Sequence, residues 1–176
     1  MPNWVKNNVK VIGTKKELEF FLEKHIKKNK INNEILDFET IIPMPENIFR
    51  GNIGIKEEEK HGRNNWYDWS IENWGTKWNS CDGYLNEIDE TSCDKSILDF
   101  SFSTAWACPY KIYSKLAQLY PNLIIEVDYA DEDIGNNCGI IMIDKGKMTI
   151  DYMDGNTSFS NKVWGWDHYN DEAESS

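Results

Sequence analysis

Val5, Val9 and Val11 alternate with Lys6, Asn8 and Lys10, the period-two spacing of a half-buried strand, and Gly13 stops it; this predicts strand one over residues 4–12. Thr14 with Glu17 forms a capping box, and Leu18, Phe21, Leu22, His25 and Ile26 share a helical stripe, so a helix is expected from about 15 to 29. His25 lies on the edge of that stripe and reads as a core-edge histidine rather than a ligand. Ile35 to Ile42 predicts a second strand, ended by Pro43-Met44-Pro45, whose prolines forbid helix and remove ladder donors. The glycines and charge run between Glu46 and Gly62 read as an exposed, mobile excursion. After it, Tyr67, Ile71 and Trp74 share one stripe with Trp66 and Trp69 beside it, and Gly75 is a natural stop, which predicts a short aromatic helix.

Thr76–Tyr84 and Leu98–Thr104 read as further strands, separated by turn-rich residues 88–96. Pro109 opens a second long helix whose stripe is Ile112, Tyr113, Leu116, Leu119 and Tyr120, ending before Pro121. Leu123, Ile125, Val127 and Tyr129 alternate as a strand, and Cys138–Ile143 with Met148–Met153 predict a hairpin around Asp144-Lys145-Gly146-Lys147. Two helices lying between strands with one polar face imply an α+β fold of the ferredoxin-like, split βαβ kind. The expectation is an antiparallel sheet with both main helices on one face, an aromatic helical insertion and a C-terminal hairpin. The organisation read from this is one domain over 1–155, with residues 46–75 as the insertion, followed by an acidic tail over 156–176.

Charge narrows the partners. The chain has 176 residues and a net charge of −11. Residues 1–33 are basic (+5), whereas 34–125 and 126–176 carry −7 and −9. A globally acidic surface repels a polyanion, so duplex DNA is a poor partner. No apolar run approaches the roughly 18 residues of a spanning helix, and MPNWVKNN lacks a signal core, so the expectation is a protein of the cytoplasm with no membrane partner. The four cysteines have no CxxC or CxxH spacing, which points to reduced thiols and no metal site.

Enzyme chemistry finds little support. The three histidines stand in unrelated contexts, and no nucleophile elbow, phosphate loop or H-E-x-x-H string is present, so no catalytic residue and no cofactor are assigned. The tryptophans carry more. Trp66, Trp69, Trp74, Trp78 and Trp106 can be read as a secondary core pinning the aromatic helix to one end of the sheet. They can also be read, with Tyr67, Asn73, Thr76 and Lys77, as an aromatic cleft bearing a few convergent polar groups, the composition of a small-ligand site. In that reading a base stacks on Trp78 or Trp106 while Lys77 and Arg63 meet the anionic part of a nucleotide. RNA recognition on the open sheet face is disfavoured, because its expected positions are Lys6, Asn8, Lys10, Ser101, Ser103, Glu126 and Asp128, with no aromatic platform.

Several strings coincide with one family: Met1-Pro-Asn-Trp4, Ile42-Pro-Met-Pro45, Asn65-Trp-Tyr-Asp-Trp69, Asn73-Trp-Gly-Thr-Lys-Trp78 and Phe102-Ser-Thr-Ala-Trp106, with Pro109 and Tyr120-Pro121 in register. Over residues 1 to about 140 the chain resembles the YubB-type ferredoxin-like domain of phage and plasmid proteins, a family of unknown function. The resemblance implies the fold and a mobile-element origin, and it brings no catalytic residues. The functional expectation is a non-catalytic binding protein of a phage or plasmid that acts in the host cytoplasm as a counter-defence, by sequestering a nucleotide-like signal. The alternative is a protein-interaction inhibitor that blocks a host protein with its acidic surface beyond residue 126. Oligomeric state is left open by the sequence.

Overall fold

The computed structural model describes residues 2–27, 35–90 and 94–166. Strand β1 (Trp4–Gly13) is the centre of the sheet and alternates without a break between half-buried and buried residues. Helix α1 (Lys15–His25) begins at the capping box, in which Thr14 Oγ1 accepts from the Glu17 N–H while the Glu17 carboxylate accepts from the Thr14 N–H. The helix ends four residues short of its expected limit. Ile26 is already extended and forms a bridge with Leu36, and residues 28 and 29 lie outside the described residues.

The predicted strand over Ile35–Ile42 is not formed. Leu36 makes that one bridge, and Phe38–Thr40 is a single 3-10 turn. Ile35, Leu36, Phe38 and Ile41 are all buried without a free face, and Asp37 takes over the backbone: its Oδ1 accepts from Glu39 N (3.2 Å) and from Asn79 Nδ2 (2.8 Å). The other Asp37 oxygen faces the Lys27 ammonium. An apolar run that packs on every side looks like a strand in sequence, but an Asx turn sets its path.

The excursion over 46–62 carries helix α2 (Ile55–His61), and a parallel bridge from Phe49 to Asn65 ties it to the start of helix α3 (Trp66–Asn73). Strand β2 (Cys81–Leu85) starts five residues later than predicted, because Thr76, Asn79 and Ser80 spend side-chain groups on backbone partners outside any ladder. The two-residue β3 (Asp89–Glu90) and the long β4 (Ser96–Ala105) follow, then α4 (Tyr110–Leu119), β5 (Ile124–Asp131) and the hairpin β6 (Cys138–Asp144) and β7 (Lys147–Tyr152). Lys145 and Gly146, both at positive φ, make the two-residue turn whose twist suits a hairpin. The stretch after 155, read as a tail, holds helix α5 (Thr157–Trp164); the acidic residues from 167 on lie outside the described residues.

The sheet order is β2-β4-β1-β5-β6-β7, with β3 beside β4 and every pairing antiparallel. Taken in chain order, β1-α1-β2-β4-α4-β5 is the split βαβ arrangement, and the β6-β7 hairpin widens it. The odd residues of β1 face α1 and α4, where Leu18, Phe21, Ile112, Tyr113 and Leu116 pack over Val5, Val9, Val11, Phe100 and Val127. Asn7 falls in this core row and is fully satisfied there. Its Nδ2 donates to Val5 O and Thr104 Oγ1, and its Oδ1 accepts from Tyr113 Oη (3.0 Å) and Cys108 Sγ (3.5 Å). Gly139 is required by Tyr129: a Cβ there would stand 2.7 Å from the Tyr129 hydroxyl and 2.6 Å from Asp151 O.

Candidate functional site

Helix α3 starts where Asn65 Oδ1 accepts from the Asp68 N–H, and it stops at Gly75, whose φ of +83° a side chain would resist. The two indoles of the helix and that of its C-cap, Trp74, serve packing. Trp74 is buried, donates Nε1–H to Ile42 O (2.9 Å), and meets the edges of Phe38 and Trp69. Trp69 packs against the main core, and Trp66 donates Nε1–H to Gly51 O (3.0 Å), fastening the excursion to the helix. The buried side of α3 is thus Trp66, Trp69, Ser70 and Trp74, whereas Ile71, expected on the inner stripe, faces out.

Beyond Gly75 the aromatics turn outward. The Lys77 ammonium lies 4.4 Å from the Trp78 ring centroid, 4.9 Å from that of Trp106 and 5.8 Å from that of Tyr67. Tyr67 meets Trp106 edge to face, and Trp4 lies 6.0 Å from Trp78. Trp78 and Trp106 keep 37% and 42% of their surface in water. Trp106 takes φ +70°, a region that bulky side chains enter only under constraint. The constraint is visible: the Trp106 N–H donates to Asn3 O (2.8 Å), and its carbonyl accepts from Asn137 Nδ2 (3.2 Å).

The nine residues predicted for the site therefore divide. Tyr67, Lys77, Trp78 and Trp106 come together as an exposed aromatic group around one ammonium, with Trp4 joining them. Trp66, Trp69 and Trp74 are packing residues, and the polar groups expected beside them are turned away. Asn73 donates back to Trp69 O, and the buried Thr76 donates its hydroxyl to Ala105 O (2.7 Å). Arg63 is not among the cations over these rings.

The even residues of β1 face the other side of the sheet. There Asn8, Lys10, Asp99, Ser101, Glu126 and Asp128 line an open groove of about 370 Å³, matching the positions expected from alternation. Burial raises the Asp128 carboxyl above its ordinary value, and Lys162 and Lys10 oppose that rise. One aromatic that the pattern missed stands here. Tyr84 lies opposite Ser101 and is 66% exposed, because Asp82, at φ +47°, sits in an irregular register between Cys81 and Tyr84. Helix α5 covers the neighbouring end of this face, with Val163 packed on Ala130 and Cys138 and the Asn8 amide donating to Val163 O. Trp164 donates to Asp131 O, stacks on Trp166 and lies under the Lys6 ammonium. Trp4, Lys6, Tyr84 and Trp164 line a second hollow.

The buried titratable groups are spent on structure. Thr40 gives its hydroxyl proton to Asp37 O, so it accepts from His25 Nδ1–H (2.7 Å), and His25 Nε2 accepts from Tyr120 Oη (2.6 Å). Burial pulls this imidazole down to about 4, which keeps that neutral tautomer. The Tyr110 hydroxyl donates to that of Tyr129; burial raises both, Tyr129 to about 12. Burial likewise pushes the Cys108 thiol up, which leaves no thiolate nucleophile there. Among the described residues no group of three or more His, Cys, Asp and Glu side chains could hold a metal ion, and no helix is long and apolar enough to cross a membrane.

Residues 73–174 match the family model of the ferredoxin-like domain in Api92-like protein. The chain belongs to that family. Within this Api92-like, ferredoxin-like domain the match begins at Asn73 and runs through β2 to β7 and α5, so it starts later and reaches further than the resemblance read from the motif strings. It includes Lys77, Trp78 and Trp106 with the packing residue Trp74, and it leaves Tyr67 and the packing residues Trp66 and Trp69 outside. No curated protein and no solved structure matches the chain.

Proposed function

We propose that this chain is a non-catalytic binding protein whose ligand surface is the exposed group of Tyr67, Lys77, Trp78 and Trp106. The observation that carries the reading is one ammonium held within 5 Å of two half-exposed indole faces. Such faces stack a planar ring, and the ammonium supplies a point charge for a phosphate. The ligand class is a nucleotide, and the biological reading is a phage or plasmid protein that sequesters a nucleotide-like signal in the host cytoplasm.

Binding requires Lys77 to slide off the indoles and meet the phosphate, which replaces its ring contacts with one ammonium–phosphate ion pair. The test is a thermal-shift screen against cyclic and linear nucleotides, with mass spectrometry of ligand recovered after denaturation. The expected result is a shift with at least one nucleotide that is recovered unchanged and is lost in Lys77→Ala. Full affinity in Lys77→Ala overturns the assignment, and recovery of a product makes the protein an enzyme.

The second reading, an acidic surface that blocks a basic host protein, is favoured by the groove where Asp99, Glu126 and Asp128 outnumber Lys10. Its signature is binding that weakens steeply with salt and survives Lys77→Ala.

A further inference from the structure

The two edges of the sheet differ. On one side β2 is five residues long, is broken by its register irregularity at Asp82, and gives way to the two-residue β3. Short strands and bulges are how proteins blunt an edge against pairing. On the other side β7 ends the sheet with six residues in unbroken register with β6, with neither proline nor bulge. The two-residue turn makes Asp144/Lys147, Met142/Thr149 and Ile140/Asp151 the pairs that exchange both ladder bonds. The main-chain groups of Met148, Ile150 and Tyr152 therefore point away from β6. Among the described residues none of those outer groups of β7 has a backbone partner beyond the β6-β7 ladder.

The sequence of this edge, Lys147-Met-Thr-Ile-Asp-Tyr152, is complementary to itself when antiparallel. With Thr149 opposite Thr149, each Lys147 stands opposite Asp151, and each Met148 stands opposite Ile150. Lys147, Thr149 and Asp151 share the face of the open groove, whereas Met148 and Ile150 share the face of the main core and are already packed against it. One register thus joins opposite charges on one face and continues the apolar layer on the other. Tyr152, 64% exposed, falls opposite the tight turn of the second copy. The alternative register about Ile150 sets Lys147 against Met153 and leaves both charges without a partner.

We infer that β7 pairs antiparallel with β7 of a second copy of this chain, joining two sheets across a two-fold axis with Lys147 against Asp151 on both sides. The proposal is independent of the ligand reading above. Sedimentation velocity of the full chain at about 0.15 M salt tests it. The expected result is a monomer–dimer equilibrium that Lys147→Asp alone and Asp151→Lys alone each weaken by about tenfold, since each variant makes two attractive cross-strand pairs repulsive. An equimolar mixture of the two variants restores every pair, so it forms heterodimer at the native affinity. That recovery separates a lost interface from a damaged fold, which circular dichroism of each variant checks in parallel. A chain that stays monomeric to several hundred micromolar overturns the proposal, as does a dimer indifferent to both single substitutions or a mixture that fails to recover.

Discussion

The indoles on the two sides of Gly75 are given opposite tasks. Before it, Trp66, Trp69 and Trp74 turn into the protein, and the N–H groups of Trp66 and Trp74 are spent on carbonyls of Gly51 and Ile42. After it, Trp78 and Trp106 lie half in water and share one ammonium. An indole whose N–H is satisfied inside contributes to folding, whereas one held open by a strained backbone and capped by a cation keeps its face for something else. Composition alone does not separate them, because Trp74 and Trp78 stand in one short string, Asn73-Trp-Gly-Thr-Lys-Trp78, and take opposite tasks.

Breaking the inner group has the largest effect. Trp74→Ala removes a buried ring and leaves Ile42 O without its donor, so a loss of about 3–5 kcal/mol is expected in denaturant unfolding, with Trp78 and Trp106 still exposed. A loss below about 1 kcal/mol would mean that the inner indole is not a packing residue.

The same contrast extends to pH, since His25 is a polar group of the inner kind. Its folded value, about 4, lies below the ordinary 6.5, so the unfolded chain binds the extra proton between those values. Stability contributed by the neutral ring is complete above about pH 6.5, falls as pH falls, and is gone below about 4, a change of up to roughly 3 kcal/mol. Unfolding midpoints at pH 7 and 4.5 should differ less in His25→Gln than in the native chain; equal slopes would remove His25 as the cause.

The smallest effects belong to the outer group. Lys77→Ala should move stability by less than about 1 kcal/mol, because an exposed cation–π contact is worth about that or less. Trp106→Gly should cost no more than about 1–2 kcal/mol, because relief of the φ of +70° that tryptophan bears offsets part of the loss of a ring already 42% exposed. A cost above about 2 kcal/mol in that variant would place Trp106 with the inner group and end the comparison.

Much of this was readable along the chain. Alternation located β1, β4, β5 and the closing hairpin, and the stripes located α1 and α4, because each of these elements buries one face, and a one-sided burial leaves a period in the sequence. The period also placed the polar positions of the open face. It failed where burial has no single direction. Residues 35–42 pack all round, so their apolar run mimicked a strand, and Asn7 sits at a core position that hydropathy reads as a break in the pattern. The candidate site was legible as a set of residue types and illegible as a geometry. The φ of Trp106, the outward turn of Tyr84 past Asp82 and the burial of Thr76 each depend on contacts from segments far away in sequence.

The sequence by itself determined the fold class and the order of its main elements, β1-α1-β2-β4-α4-β5-β6-β7, since local periodicity and capping act over a few residues. Only the tertiary structure decided which tryptophans are core and which are surface, and which edge of the sheet stays regular. Those outcomes rest on whether a distant carbonyl, such as Ile42 O for Trp74 or Asn3 O for the Trp106 backbone, arrives within hydrogen-bonding reach, and proximity of that kind leaves no period to read.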